Sequence, residues 1–150
     1  MGTYHTVLVG TDGSDSSYRA VDRAAALARD AAAKLVIVCA YHAASEREVA
    51  AAHEALGDEA YQVVGSSPAE DSLLTAADRA TAVGAEDVVT SAVSGDPVKS
   101  LIAAIDEHHA DLLVVGNRGL NTLAGRLLGS VPSDVSRHAR CDVLIVHTVR

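Results

Sequence analysis

The amino-acid sequence predicts a doubly wound α/β fold, a five-stranded parallel sheet with helices on both faces. Three observations carry the prediction. Five short apolar runs recur along the chain, at Thr6 to Gly10, Leu35 to Ala40, Val88 to Val93, Leu112 to Val115 and Asp142 to His147. Stretches of helical period separate them, long enough for the right-handed crossovers that parallel neighbours need. The runs are mostly continuous rather than alternating, which is how strands covered on both faces read.

Bulk properties set the outer limits. At 150 residues and 49% apolar, the chain suits one domain, residues 1–150, with a packed core. With four Tyr and no Trp or Phe, that core must come from Val, Leu, Ile and Ala, and such small residues let a sheet and alanine-rich helices approach closely. The formal charge of −8 argues against a nucleic-acid or anionic-membrane surface, so any attraction for phosphate has to be local. MGTYHTVLVG lacks a signal peptide's basic and long apolar regions, and no apolar run reaches the roughly 18 to 20 residues that span a bilayer, so a cytoplasmic protein is expected. Cys39 and Cys141 have no C-x-x-C spacing and read as reduced, small apolar fillers. The histidines are scattered, only His108 and His109 being adjacent, and no structural metal is expected.

In chain order, Thr6 to Gly10 is the first strand and leads into the turn-rich TDGSDSS. A helix follows, with Ser14 or Asp15 as its cap and Ala20, Ala24, Leu27, Ala28 and Ala31 on one face. Leu35 to Ala40 is the second strand. Ala43 to Gly65 exceeds the usual strand-to-helix connection and reads as a partly helical insertion. Ser67 as N-cap and Pro68 at the first helical position open a helix whose inward face is expected at Leu73, Leu74, Ala77 and Thr81, ending at Gly84. Val88 to Val93 is more polar, as befits an edge strand. Gly95-Asp96-Pro97 starts the next helix, with the stripe Val98, Leu101, Ile102 and Ile105. After the fourth strand and its glycines, Pro132 opens a helix with Val131 and Val135 inward and Arg137, His138 and Arg140 near its C-terminal end.

The chemistry concentrates in Asp111 to Pro132, DLLVVGNRGLNTLAGRLLGSVP. Glycines after a buried strand and before a helix N-terminus let backbone N–H groups approach phosphate oxygens with no Cβ in the way. No G-x-x-x-x-G-K-[ST] occurs, nor does G-x-G-x-x-G follow a strand. The spacing is instead G-x-x-G-x9-G-S, formed by Gly116, Gly119, Gly129 and Ser130. In this the chain resembles the universal stress protein family, in its nucleotide-binding branch. VLVGTDGSDSS, GDPVKSLI and DVLIVHT extend the resemblance over nearly the whole length, except Ala43 to Gly65.

The resemblance implies a Rossmann-like sheet of the adenine nucleotide alpha hydrolase type, in strand order 3-2-1-4-5. That order makes strands one and four neighbours with crossovers leaving in opposite directions, where ligands of open α/β sheets bind. Gly10, Thr11 and Asp12 then face Gly116, Asn117, Arg118 and Gly119, while Gly129, Ser130, Val131 and Pro132 close the loop onto a helix start. Asp12 is read as an acceptor for ribose hydroxyls, or a holder of nucleotide-bound Mg²⁺, in addition to its ordinary use as a turn residue. Ser130 doubles as a helix N-cap. Arg118 and, less centrally, Arg126 are the cations placed to meet phosphate. Ala40 matches the family position whose backbone meets adenine.

The expected ligand is an adenine nucleotide, ATP first. Cyclic AMP is the alternative, since the Ala-rich sequence resembles actinobacterial members that include cyclic AMP binders. An interaction protein independent of nucleotide is a third reading. Catalysis is not expected beyond slow ATP hydrolysis, because no nucleophile and base can be placed together. In the family order the apolar strand Val143, Leu144, Ile145 and Val146 lies at a sheet edge. A homodimer through that strand is expected, or shielding of the edge by the chain's own His147 to Arg150.

Overall fold

The structure is a computed structural model that describes residues 2–42, 67–118, 120–121, 127–128 and 131–148. Its main sheet is formed by β1 (Thr6–Gly10), β2 (Lys34–Tyr41), β3 (Val88–Ser94), β4 (Leu112–Gly116) and β5 (Asp142–Val146). All neighbours pair in parallel, in the order β3-β2-β1-β4-β5, with β3 and β5 at the edges. The helices are α1 (Asp15–Ala31), α2 (Ser67–Val83), α3 (Pro97–His108) and α4 (Val131–His138). A two-residue antiparallel ladder joins Leu120–Asn121 to Leu127–Leu128. The insertion expected at Ala43 to Gly65 lies outside the described residues, as do Gly119, Arg126, Gly129 and Ser130.

Alternation along each strand splits the core into two layers. Val7, Val9, Leu35, Ile37, Cys39, Leu112 and Val114 pack with α1 and α2, where alanines at 20, 24, 25, 28, 69, 76 and 80 keep the helices close. Leu8, Val36, Val38, Leu113 and Val115 face α3 and α4, meeting Leu101, Ala104, Ile105, Val131 and Val135. Burial on both faces is why β1, β2 and β4 read as unbroken apolar runs. At the N-terminal end of the sheet, the Asp111 carboxylate accepts from the backbone N–H groups of His5 (2.9 Å) and Thr6 (3.0 Å), tying the start of β1 to that of β4. The helical layer over α1 is held by a forked ion pair, Arg79 donating to both Asp22 oxygens at 3.1 and 2.6 Å, with its guanidinium 5.2 Å from the Tyr18 ring centre.

Capping follows the sequence in α1 and α3. Ser14 caps α1 by accepting from the Ser17 N–H, and Asp96 caps α3 by accepting from that of Lys99, with Pro97 in the first helical turn. The inward faces of two helices differ from expectation. In α2 the buried positions are Ala69, Leu73, Ala76 and Ala80, whereas Leu74 is 66% exposed and Thr81 faces solvent. Helical spacing suggested Leu73, Leu74, Ala77 and Thr81, but the approach to α1 is close enough that alanines occupy the contact. In α3, Ser100 and Ala104 are buried with Leu101 and Ile105, while Val98 and Ile102 are only partly covered. Ser67 is already helical, so the boundary falls one residue before the expected cap.

Candidate functional site

The site begins where two neighbouring strands part. β1 and β4 pair at Val7–Leu112, Leu8–Leu113 and Val9–Val114. Beyond that, β1 stays with β2, through Gly10–Val38 and the Thr11 N–H donating to the Val38 carbonyl at 2.9 Å. β4 stays with β5 instead, through Gly116–Val146 and the Asn117 N–H donating to the Val146 carbonyl at 2.8 Å. The β1–β4 pairing therefore ends short of Gly10-Thr11-Asp12 and Gly116-Asn117-Arg118, at the carboxyl ends of the strands where the crossovers diverge, which is where ligands of open α/β sheets bind.

On the β1 side the hydroxyls and a carboxylate bond one another. The Thr11 and Ser17 hydroxyls lie 2.8 Å apart, and Ser17 Oγ accepts from the Asp12 N–H at 3.3 Å. Asp12 is 8% exposed, and its Oδ1 accepts from both the Ser14 N–H (3.0 Å) and the Ser14 hydroxyl (2.5 Å). Asp12 thus organises the turn before α1, with Gly13 at φ 82° supplying the left-handed residue. The carboxylate also lies near the Cys39 thiol at the end of β2, which burial, and then Asp12, push up to about 12. Ala40, one residue on, is buried beside Val93 of β3.

The β4 side is arranged differently from expectation. Gly116 was expected to supply turn geometry and access for phosphate, yet its φ is not positive, and a Cβ there would lie 3.1 Å from the Thr148 hydroxyl oxygen and 3.2 Å from its methyl. Its lack of a side chain makes room for Thr148, two residues after β5. The Thr148 N–H donates to Asn117 Oδ1 at 2.8 Å, and the Asn117 amide nitrogen lies 3.3 Å from His147 Nδ1. The tail therefore turns inward at 147–148 rather than back along β5; Val149 and Arg150 lie outside the described residues. Arg118 is exposed, and Val131 and Pro132 are buried at the start of α4. Ser16, Ser17, Arg19 and Thr148 were not singled out in the sequence. Only Ser16 and Ser17, inside the serine-rich turn, carried any local signal.

Among the described residues, no group of three or more His, Cys, Asp and Glu could hold a metal ion, and no helix is long and apolar enough to cross a membrane. The site can thus offer backbone amides, an enclosed carboxylate and an exposed arginine, a set suited to a phosphorylated, hydroxyl-bearing ligand.

A sequence model of the universal stress protein family matches residues 3–147. The chain belongs to that family. This universal stress protein is 55% identical over 148 residues to one from Mycobacterium tuberculosis, covering 99% of each chain. A putative universal stress protein of Staphylococcus aureus is 35% identical over 150 residues, 99% of this chain and 87% of that one. Among solved structures, a universal stress protein in complex with cAMP is 49% identical with a TM-score of 0.74, over 97% of this chain and 98% of that one.

Proposed function

We propose that this universal stress protein is a single-domain binding module for an adenine nucleotide, held where β1 and β4 separate. The observation that supports the reading is the end of the β1–β4 pairing at Val9 and Val114: beyond it β1 keeps only β2 and β4 keeps only β5, at the carboxyl ends from which Thr11-Asp12 and Asn117-Arg118 continue. The phosphates would lie against the backbone of Gly116 to Gly119 and of Gly129-Ser130 at the start of α4, where Val131 and Pro132 follow and the helix dipole favours an anion. Arg118 would supply positive charge locally, against the net negative charge of the chain. Asp12, fixed by Ser14 and nearly enclosed, suits a rigid acceptor for ribose hydroxyls better than a ligand that must reorient around an octahedral ion. Gly10 leads into that turn, and Ala40 leaves space for the base beside it.

ATP is the reading favoured by the glycine motif, and cyclic AMP the one favoured by the complex of the 49% identical structure. Mg²⁺ would accompany only the first. Binding rather than turnover is the proposed role, in the cytoplasm, with the pair of subunits joined through β5, whose outer side ends the sheet and whose Ile145 is 46% exposed.

Titration calorimetry with ATP, ADP, AMP and cyclic AMP, with and without Mg²⁺, tests the reading. At least one nucleotide should bind well above adenosine, without release of phosphate. Gly119→Val should abolish that binding, since a branched side chain would occupy the phosphate approach. Failure of every nucleotide to bind would leave an interaction protein that keeps the fold without the ligand.

A further inference from the structure

Two residues after β5 the chain is buried again. Thr148 is 3% exposed and Ser16 6%, and their hydroxyl oxygens are 2.6 Å apart. The Thr148 hydroxyl donates to Asn117 Oδ1 at 3.0 Å. Each hydroxyl has one proton, so Ser16 must be the donor to Thr148 and the chain of bonds runs from α1 through the tail to the loop. The Thr148 N–H donates to the same Oδ1, and the Arg19 guanidinium donates to the Thr148 carbonyl at 2.6 Å. Gly116 leaves the space in which the threonine sits. Asn117, the second residue of G-N-R-G, is thus held by Val146, His147 and Thr148, and through Thr148 it is tied to α1.

We propose that Thr148 is a positioning residue for the start of the anion loop: by tying Asn117 through itself to α1, it fixes the Asn117-Arg118 backbone and prepares it to meet phosphate. This rests on the nucleotide reading above. A glycine-flanked loop left loose would have to be ordered when ligand arrives, and a loop ordered beforehand spares that cost. The effect of the latch is therefore confined to the phosphate end of the ligand.

Thr148→Val keeps the volume and removes the hydroxyl, and Thr148→Ser keeps the hydroxyl. With Thr148→Val, affinity for the best-bound nucleotide should fall about tenfold, the size of one net buried hydrogen bond, with adenosine binding unchanged. Thr148→Ser should restore most of the loss. Wild-type affinity in Thr148→Val, or equal weakening of nucleotide and adenosine, would overturn the proposal. Hydrogen exchange in the ligand-free full-length chain provides a second arm: the Asn117 and Arg118 amides should exchange faster in Thr148→Val, and unchanged rates would also overturn it. If the wild type binds no nucleotide the functional reading fails alone, and the exchange arm still decides the latch. Should Thr148→Val not fold, Ser16→Ala removes the donor to Thr148 and carries the same comparisons.

Discussion

Asp12 shows how one side chain serves a turn and a site together. The bonds from Ser14 fix its carboxylate before α1, and that same fixation holds it just past the carboxyl end of β1. Asp12→Ala should therefore lower affinity for nucleotides with ribose hydroxyls by about tenfold, an effect on the scale of a charged hydrogen bond, and leave 2′,3′-dideoxy analogues nearly unaffected. Calorimetry of both ligand types against both proteins checks it; equal affinities throughout would return Asp12 to the turn alone. Gly116 was legible as a position that needs glycine, but the turn geometry expected of it is not what uses it: its φ is not positive, and the space is taken by Thr148. A glycine after a buried strand looks the same whether it serves φ, phosphate or a distant side chain, and the partner here, Thr148, is remote in sequence. Gly116→Ala would press on Thr148 by a few tenths of an ångström, and should cost about 1 kcal/mol in denaturant unfolding.

Element boundaries were legible where a side chain caps them and obscure where the backbone alone does. Ser14 and Asp96 announce α1 and α3, whereas α1 ends at Ala32 in the left-handed region (φ 53°), with no glycine to signal it. Its N–H donates to the Ala28 and Arg29 carbonyls, so the stop is a real cap formed at steric cost. Ala32→Gly should raise stability by about 0.5 to 1 kcal/mol, relief of that cost less the added freedom of the unfolded chain, read from chemical denaturation. The face of α2 was misplaced because helical spacing alone does not say which stripe of an alanine-rich helix turns inward. Alanines fill the contact between α1 and α2, and Leu74 is left outside. Within β2, Cys39 is fully buried and its thiol is pushed up to about 12, from an ordinary value of 9.0. Because the folded value is the higher one, this contribution to stability is intact below about pH 9 and is lost as pH rises towards 12. Native protein at pH 8 should leave Cys39 unlabelled by a thiol reagent that modifies it in denaturant, with mass spectrometry identifying the site.

At the scale of the whole molecule, five apolar runs, most of them continuous, and their spacing sufficed for a parallel sheet, but not for its order. That came from the family resemblance, and the observed β3-β2-β1-β4-β5 agrees with it. The same order leaves β5 at an edge with Ile145 46% exposed, and the described part of the tail turns away from that edge towards α1. A second copy pairing along β5 would cover it. Sedimentation at micromolar concentration should give a dimer for wild type and Ile145→Val and a folded monomer for Ile145→Pro, since proline removes a ladder donor. A monomeric wild type would contradict the dimer.

The central claim is that the ligand lies where β1 and β4 part, and amide chemical-shift mapping tests it most directly. On addition of cyclic AMP or ATP to isotope-labelled protein, the largest changes should fall at Thr11 to Ser14 and Asn117 to Gly119, together with Ser130 and Val131. Changes centred elsewhere, such as in the groove between α3 and α4 lined by Val98, Ile102 and His138, would contradict the account.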